Sequence, residues 1–208
     1  MAQEIYMFNL YFIKNTSNLW TSNHDILLSH VSKQRHDRIK RYYFEEDKIL
    51  SLYAAFTTRL AISKILKCPM DDLIFDKTKE HKPFLNPNCH PLASTIDFNF
   101  SHTKGAVLLG VSTESTLGVD LERKRNAPFE IMKNAFHINE REYVLEAWNE
   151  DEKNKRFFEI WTRKEAYTKY LGTGIISKLK AIDTKSPDLD KLLYTWCIDD
   201  YVCSVCTD

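Results

Sequence analysis

The sequence predicts an α+β fold made of two similar subdomains, residues 1–112 and 113–208, forming one compact unit. Three observations support this. A long helical pattern lies in each half, at Glu45–Lys67 and at Glu152–Leu171. Short β-rich runs accompany each of them. The pattern breaks between the halves, near residues 112–118, and mixed segments on both sides of such a break point to α+β. No low-complexity stretch or short repeat is present.

Each element has a local reason. Ile5 to Ile13 is rich in aromatic and β-branched residues and reads as an opening strand. Asp25 to Arg41 reads as one helix with Leu27, Leu28 and Val31 in its apolar positions; from Lys33 onward it is strongly basic. In Glu45–Lys67, Ile49, Leu52, Tyr53, Phe56 and Leu60 recur at helical spacing, and Cys68-Pro69 stops the helix. Asp72 to Phe84 alternates loosely and contains Lys82-Pro83, and Pro87 to Thr95 is loop. Ile96–Phe100 and Ala106–Ser112 read as strands joined by Ser101-His102-Thr103-Lys104-Gly105. Leu117 to Glu122 is a further strand, followed by a polar loop. Asn139 is the expected cap of a helix with acids in its first turn. Glu152–Leu171 ends at Gly172-Thr173-Gly174, a helix-stop signal. Tyr194–Ile198 and Tyr201–Val205, joined by Asp199-Asp200, close the chain as a hairpin.

Bulk composition narrows the classes. With 43% hydrophobic and 28% charged residues, the chain is an ordinary globular one. Lys plus Arg and Asp plus Glu number 29 each, so net charge points to neither a nucleic acid nor a membrane partner. No apolar run approaches a membrane span. The first residues lack a basic start followed by an apolar stretch, so export is not expected and a cytoplasmic location is. Five cysteines at irregular spacing argue against a disulfide framework. Cys203 and Cys206 match C-x-x-C, but they sit in a strand that would turn them to opposite faces, and no second pair completes a zinc site.

The residues able to do chemistry begin with Asp120 and Glu122. In Leu117-Gly118-Val119-Asp120-Leu121-Glu122, strand alternation puts both carboxylates on one face. Adjacent carboxylates repel unless a cation stands between them, and Mg²⁺, which prefers oxygen ligands, is the candidate. For a lone pair of this kind a solvated strand face is the simpler explanation. On the long helix, Trp161, Glu165 and Lys169 form one row beside the apolar stripe of Phe157, Ile160, Tyr167 and Leu171. Taken alone, Glu165 and Lys169 read as a surface pair worth about 0.3–0.5 kcal/mol. Lys164 falls within the stripe and reads as a snorkelling side chain. Ser101 and His102 read as an anion contact at a strand end. They do not read as a nucleophile pair, because no strained elbow surrounds them. Arg35 and Arg38 share a helix face, which is either solvated or a phosphate site. Lys82, ahead of Pro83 in an extended segment, could serve the same ligand.

Together these motifs are far more specific. Asn99-Phe-Ser-His102, Gly118-Val-Asp-Leu-Glu122, and Trp161-Thr-Arg-Lys-Glu-Ala166 with Lys169 and Gly172-Thr-Gly174 occur in order. This set resembles the Sfp-type 4′-phosphopantetheinyl transferases over nearly the whole chain. The resemblance implies a pseudo-twofold pair of α+β subdomains with coenzyme A bound between them. It implies that Asp120, Glu122 and Glu165 hold Mg²⁺ on the coenzyme A pyrophosphate and that Lys169 touches the same phosphates. It further implies that His102, with Ser101, Arg35 and Arg38, meets the nucleotide phosphates, and that Lys82 and Pro83 border the adenine nucleotide. Two positions depart from the family pattern: His81 stands where relatives often have Gly, and Leu50 where some carry Arg.

The activity so implied is transfer of phosphopantetheine from coenzyme A to a serine hydroxyl of an apo carrier protein, releasing adenosine 3′,5′-bisphosphate. Glu165 is the preferred base and Glu140 a weaker candidate, whose simpler role is to stabilise a helix N-terminus. Lys169 adds positive charge where negative charge builds up. A monomer is expected, since an internal pseudo-dimer would already bury the interface that smaller relatives make between subunits. A Mg²⁺-dependent phosphodiester hydrolase and a non-catalytic coenzyme A-binding module are the alternatives. Nothing in the sequence names the carrier.

Overall fold

The computed structural model describes residues 8–79, 82–172 and 179–208. The fold is α+β, and the chain divides into two units, Met1–Thr116 and Leu117–Asp208.

In the first unit, β1 (Phe8–Lys14) is followed by α1 (Ser22–Ser29), α2 (Lys33–Lys40) and the 22-residue α3 (Glu45–Leu66). A small pair, β2 (Phe75–Lys77) and β3 (Pro83–Leu85), precedes β4 (Asp97–Thr103) and β5 (Ala106–Ser112). The main sheet is antiparallel in the order β1-β5-β4. The central strand, β5, is apolar along most of its length and buried throughout, as a strand covered on both faces must be. Helix α3 lies against β5 and β4, joining Ala61 and Ile62 to Phe98, Leu109 and Val111 in one core. Among the described residues, α3 is the one helix long and apolar enough to cross a bilayer, yet half of its most apolar stretch is buried.

The second unit repeats the plan. After β6 (Leu117–Arg123) come α4 (Met132–Ala135), α5 (Ile138–Leu145) and the 22-residue α6 (Glu150–Leu171). Then α7 (Pro187–Asp190), β7 (Leu193–Ile198) and β8 (Tyr201–Thr207) complete the unit. The sheet order is β6-β8-β7, and α6 covers β6 and β8. In both main sheets the last strand in sequence lies between the other two, and a 22-residue helix stands between the first strand and the remaining pair. The similarity of the halves is therefore one of topology.

Several boundaries differ from those read in the sequence. The helix expected over Asp25–Arg41 is two helices, because Ser32 takes an extended conformation and caps α2, its Oγ accepting from the Arg35 N–H at 3.3 Å. The cap of α5 is His137, not Asn139; its Nδ1 accepts from the Asn139 N–H at 3.4 Å. Helix α6 starts two residues early, at an Asn149 cap. Strand β4 runs on through Thr103, so Ser101 and His102 lie within it rather than past its end. Helix α6 does stop at Gly172, whose φ of +66° is left-handed; Thr173 and Gly174 of that signal lie outside the described residues, as do the first residues of the opening strand.

Cys203 and Cys206 lie three apart on β8, hence on opposite faces, and both are buried free thiols. Burial pushes each from 9.0 up to about 12. In the unfolded chain they ionise near their ordinary value, so this contribution to stability is intact below about pH 9 and is lost as pH rises toward 12. A melting temperature that falls across that window, and falls less steeply in Cys203→Ala, is the expected result.

Candidate functional site

Most of the residues singled out by sequence fall in two clusters, one in each unit. In the second unit the organising position is Gly118. A Cβ there would stand 2.1 Å from the Ala166 carbonyl oxygen and 2.3 Å from the Tyr170 nitrogen, so only glycine lets the α6 backbone lie this close to β6. Gly118→Ala should therefore cost about 3 kcal/mol in urea unfolding, because the obstructing atoms are backbone and cannot swing aside.

Asp120 and Glu122 share the face of β6 that carries Gly118. The close approach of α6 brings Lys169 to Asp120, with Nζ–Oδ1 at 2.7 Å and a second bond from Nζ to the Val119 carbonyl at 3.1 Å. Asp120 is 5% exposed. Lys169 thus pairs across to the strand, rather than along its own helix with Glu165 as its spacing suggested. Glu165 lies one turn before it. Burial lifts the Glu165 carboxyl above the ordinary carboxylate range, and the negative charges of Asp120 and Glu122 lift it further, against the pull of Lys169. Glu122 accepts from Arg125 Nη1 at 2.8 Å. The three carboxylates therefore lie within one another's fields. Among the described residues, however, no group of three or more His, Cys, Asp or Glu is placed to hold a metal ion.

Lys164 does not snorkel. It is fully buried, 2.8 Å from Glu140 Oε2, and its Nζ also donates to the carbonyls of Leu179 (2.9 Å) and Ile182 (2.5 Å). Glu140 Oε1 accepts from Thr184 N–H at 2.9 Å and from Thr184 Oγ1 at 2.7 Å, and Oε2 accepts from His137 N–H at 2.7 Å. Burial pulls the Lys164 ammonium down and Glu140 holds it up. Every oxygen of Glu140 is committed inside the fold, which removes it as a catalytic base.

In the first unit a cavity of about 590 Å³ opens between α2, α3, β2 and β4. Arg35, Arg38, Pro83 and His102 all line it, so one cavity gathers four of the six residues expected at the nucleotide. Arg35 is fixed over the Phe100 ring at 5.9 Å and donates to Ser51 Oγ at 3.0 Å. Burial, then Arg38, lowers its affinity for a proton. Alternation along β4 turns Phe98, Phe100 and His102 toward the cavity, while Ser101, buried, does not line it. Lys82 also stays outside the lining and pairs with Asp97 at 2.9 Å.

Residues 18–114 match the family model described as 4′-phosphopantetheinyl transferase, N-terminal, and residues 116–208 match that of the 4′-phosphopantetheinyl transferase superfamily. The chain belongs to this superfamily. Among curated proteins it is 29% identical over 170 residues to the 4′-phosphopantetheinyl transferase gsp of Aneurinibacillus migulanus, covering 81% of this chain and 68% of that one. It is 26% identical over 158 residues to the transferase Sfp of Bacillus subtilis (strain 168), covering 76% and 67%. To the transferase HetI of Nostoc it is 28% identical over 183 residues, covering 84% and 76%.

Arg41 and Arg59 also line the cavity, and of these Arg59 was not singled out by sequence. Arg41 belongs to the basic run and was legible there. The signal for Arg59 was subtler: it is the one charged residue in the stretch of α3 between Lys48 and Lys64, and it is buried to 6% exposure.

Proposed function

We propose that this chain transfers 4′-phosphopantetheine from coenzyme A to a serine hydroxyl of an apo carrier protein. The serine oxygen attacks the phosphorus that bears pantetheine, the bond to the bridging pyrophosphate oxygen breaks, and adenosine 3′,5′-bisphosphate leaves. The observation that carries this reading is the acidic cluster with its lysine, Asp120, Glu122, Glu165 and Lys169, in a member of the transferase superfamily.

The donor set fits a hard divalent cation in its chemistry: three carboxylates on two packed elements, with burial and mutual repulsion raising Glu165. Asp120, Glu122 and Glu165 would hold Mg²⁺, which when bound neutralises pyrophosphate charge. Lys169, anchored by Asp120 and the Val119 carbonyl, presents a fixed cation to the leaving phosphate. Glu165 accepts the serine proton, and the occupied Glu140 cannot compete for that role. Arg35, Arg38 and His102 take the nucleotide phosphate in the cavity of the first unit, and Pro83 borders the nucleotide. Ser101 and Lys82 then act from behind the wall, Lys82 by fixing Asp97 at the start of β4.

The purified protein, with coenzyme A and Mg²⁺, should release adenosine 3′,5′-bisphosphate only when an apo carrier is added. Release without a carrier would make it a hydrolase. Binding of coenzyme A with no release across fatty-acid, polyketide and peptide-synthetase carriers would make it a binding module.

A further inference from the structure

The cavity of the first unit is not uniform along its length. Phe98, Phe100 and His102 form a row on β4, spanning about 14 Å at ~3.4 Å per residue. Arg35 stands at the Phe100 end, 5.9 Å over that ring, with Arg38 close enough for its charge to act on it; Arg41 also lines the cavity, and these cations suit a multiply charged phosphate. The Phe98 end is different. The Phe75 ring meets the Phe98 ring edge-on at 5.6 Å, and the Arg59 guanidinium lies over Phe75 at 5.5 Å. Nη2 of Arg59 is already bonded to the Met70 carbonyl, which fixes the orientation of the group. Its Nε is buried and has no hydrogen-bond partner among the described residues, a state it shares with the Nε of Arg35 and of Arg163. A buried donor left unpaired costs about 1–3 kcal/mol, so its persistence here calls for an acceptor.

What acceptor fits follows from the surroundings. A phosphate needs several donors, and this end offers one committed guanidinium among aromatic walls, while Lys77 nearby is exposed. A planar heterocycle with a ring nitrogen on its edge satisfies both features, stacking on aromatic carbon and accepting one N–H. Resting on the proposed coenzyme A site, we infer that Arg59 is a specificity-determining residue that donates to the nucleobase of the bound nucleotide, at the opposite end of the cavity from its phosphate.

The test is calorimetric titration of the full chain and its Arg59→Met and Arg59→Lys variants with coenzyme A and with 3′-dephospho-coenzyme A. Arg59→Lys keeps the charge and a donor for Met70 but loses the Nε–H. Melting of the ligand-free proteins reports on the fold. The expected result is that both variants melt close to the parent and bind both ligands about tenfold more weakly, by the same factor for each. A loss confined to coenzyme A would overturn the inference by assigning Arg59 to the phosphate. Unchanged affinity in Arg59→Lys for both ligands would overturn it by leaving Arg59 a structural role. A parent protein that binds neither ligand would instead sink the coenzyme A site itself.

Discussion

Asp120→Asn and Glu165→Gln should each lower the rate of phosphopantetheine transfer by about 100-fold or more while leaving the protein folded. Each exchange keeps the shape of the side chain and removes its negative charge. Fixed groups aimed at charge that develops in a transition state are worth about 100- to 1000-fold in rate apiece. Asp120→Asn acts twice, since it also takes the ionic partner from Lys169, held at 2.7 Å. Glu165→Gln removes a charge that burial, Asp120 and Glu122 all disfavour, so the melting temperature should hold or rise. Initial rates beside thermal melts separate the two effects. Variants that melted normally and kept the parent rate would show that the reaction takes place elsewhere.

Lys164→Met should cost about 3–5 kcal/mol of stability, since removing one member of a buried ion pair strands the other. Glu140 is fully buried and Lys164 nearly so, so the remaining carboxylate has no water to turn to. The carbonyls of Leu179 and Ile182 lose their donor as well. The network ties the consecutive helices α5 and α6 to the segment around Thr184. Adding Glu140→Gln to Lys164→Met should recover part of the loss, because no unpaired charge is then buried. Urea midpoints at constant m-value measure both steps. A Lys164→Met cost below about 1 kcal/mol would mean that the pair is not buried as described.

Periodicity made the long helices legible. Ile49, Leu52 and Phe56 mark α3, and Phe157 and Ile160 mark α6, because an amphipathic helix writes its packing into its spacing. The closing hairpin was equally plain, since Asp199, with φ of 52°, provides the tight turn between two β-rich runs. The break at Ser32 escaped because both helices have polar outer faces and the cap is a single hydroxyl. Lys164 was misread for a different reason. An apolar stripe does not reveal a buried carboxylate arriving from Glu140, 24 residues earlier in the chain. In the candidate site, strand alternation correctly put Asp120 and Glu122 on one face. It was not applied to Ser101 and His102, which alternation separates. Sheet order and the unpaired Nε of Arg59 arise only from tertiary packing, and no local pattern carries them.

The most direct test of the central claim is the intact mass of an apo carrier protein after incubation with this chain, coenzyme A and Mg²⁺. A gain of one phosphopantetheine, absent when the acceptor serine of the carrier is replaced by alanine, is the predicted result. An unchanged mass across fatty-acid, polyketide and peptide-synthetase carriers, with coenzyme A bound, would contradict it.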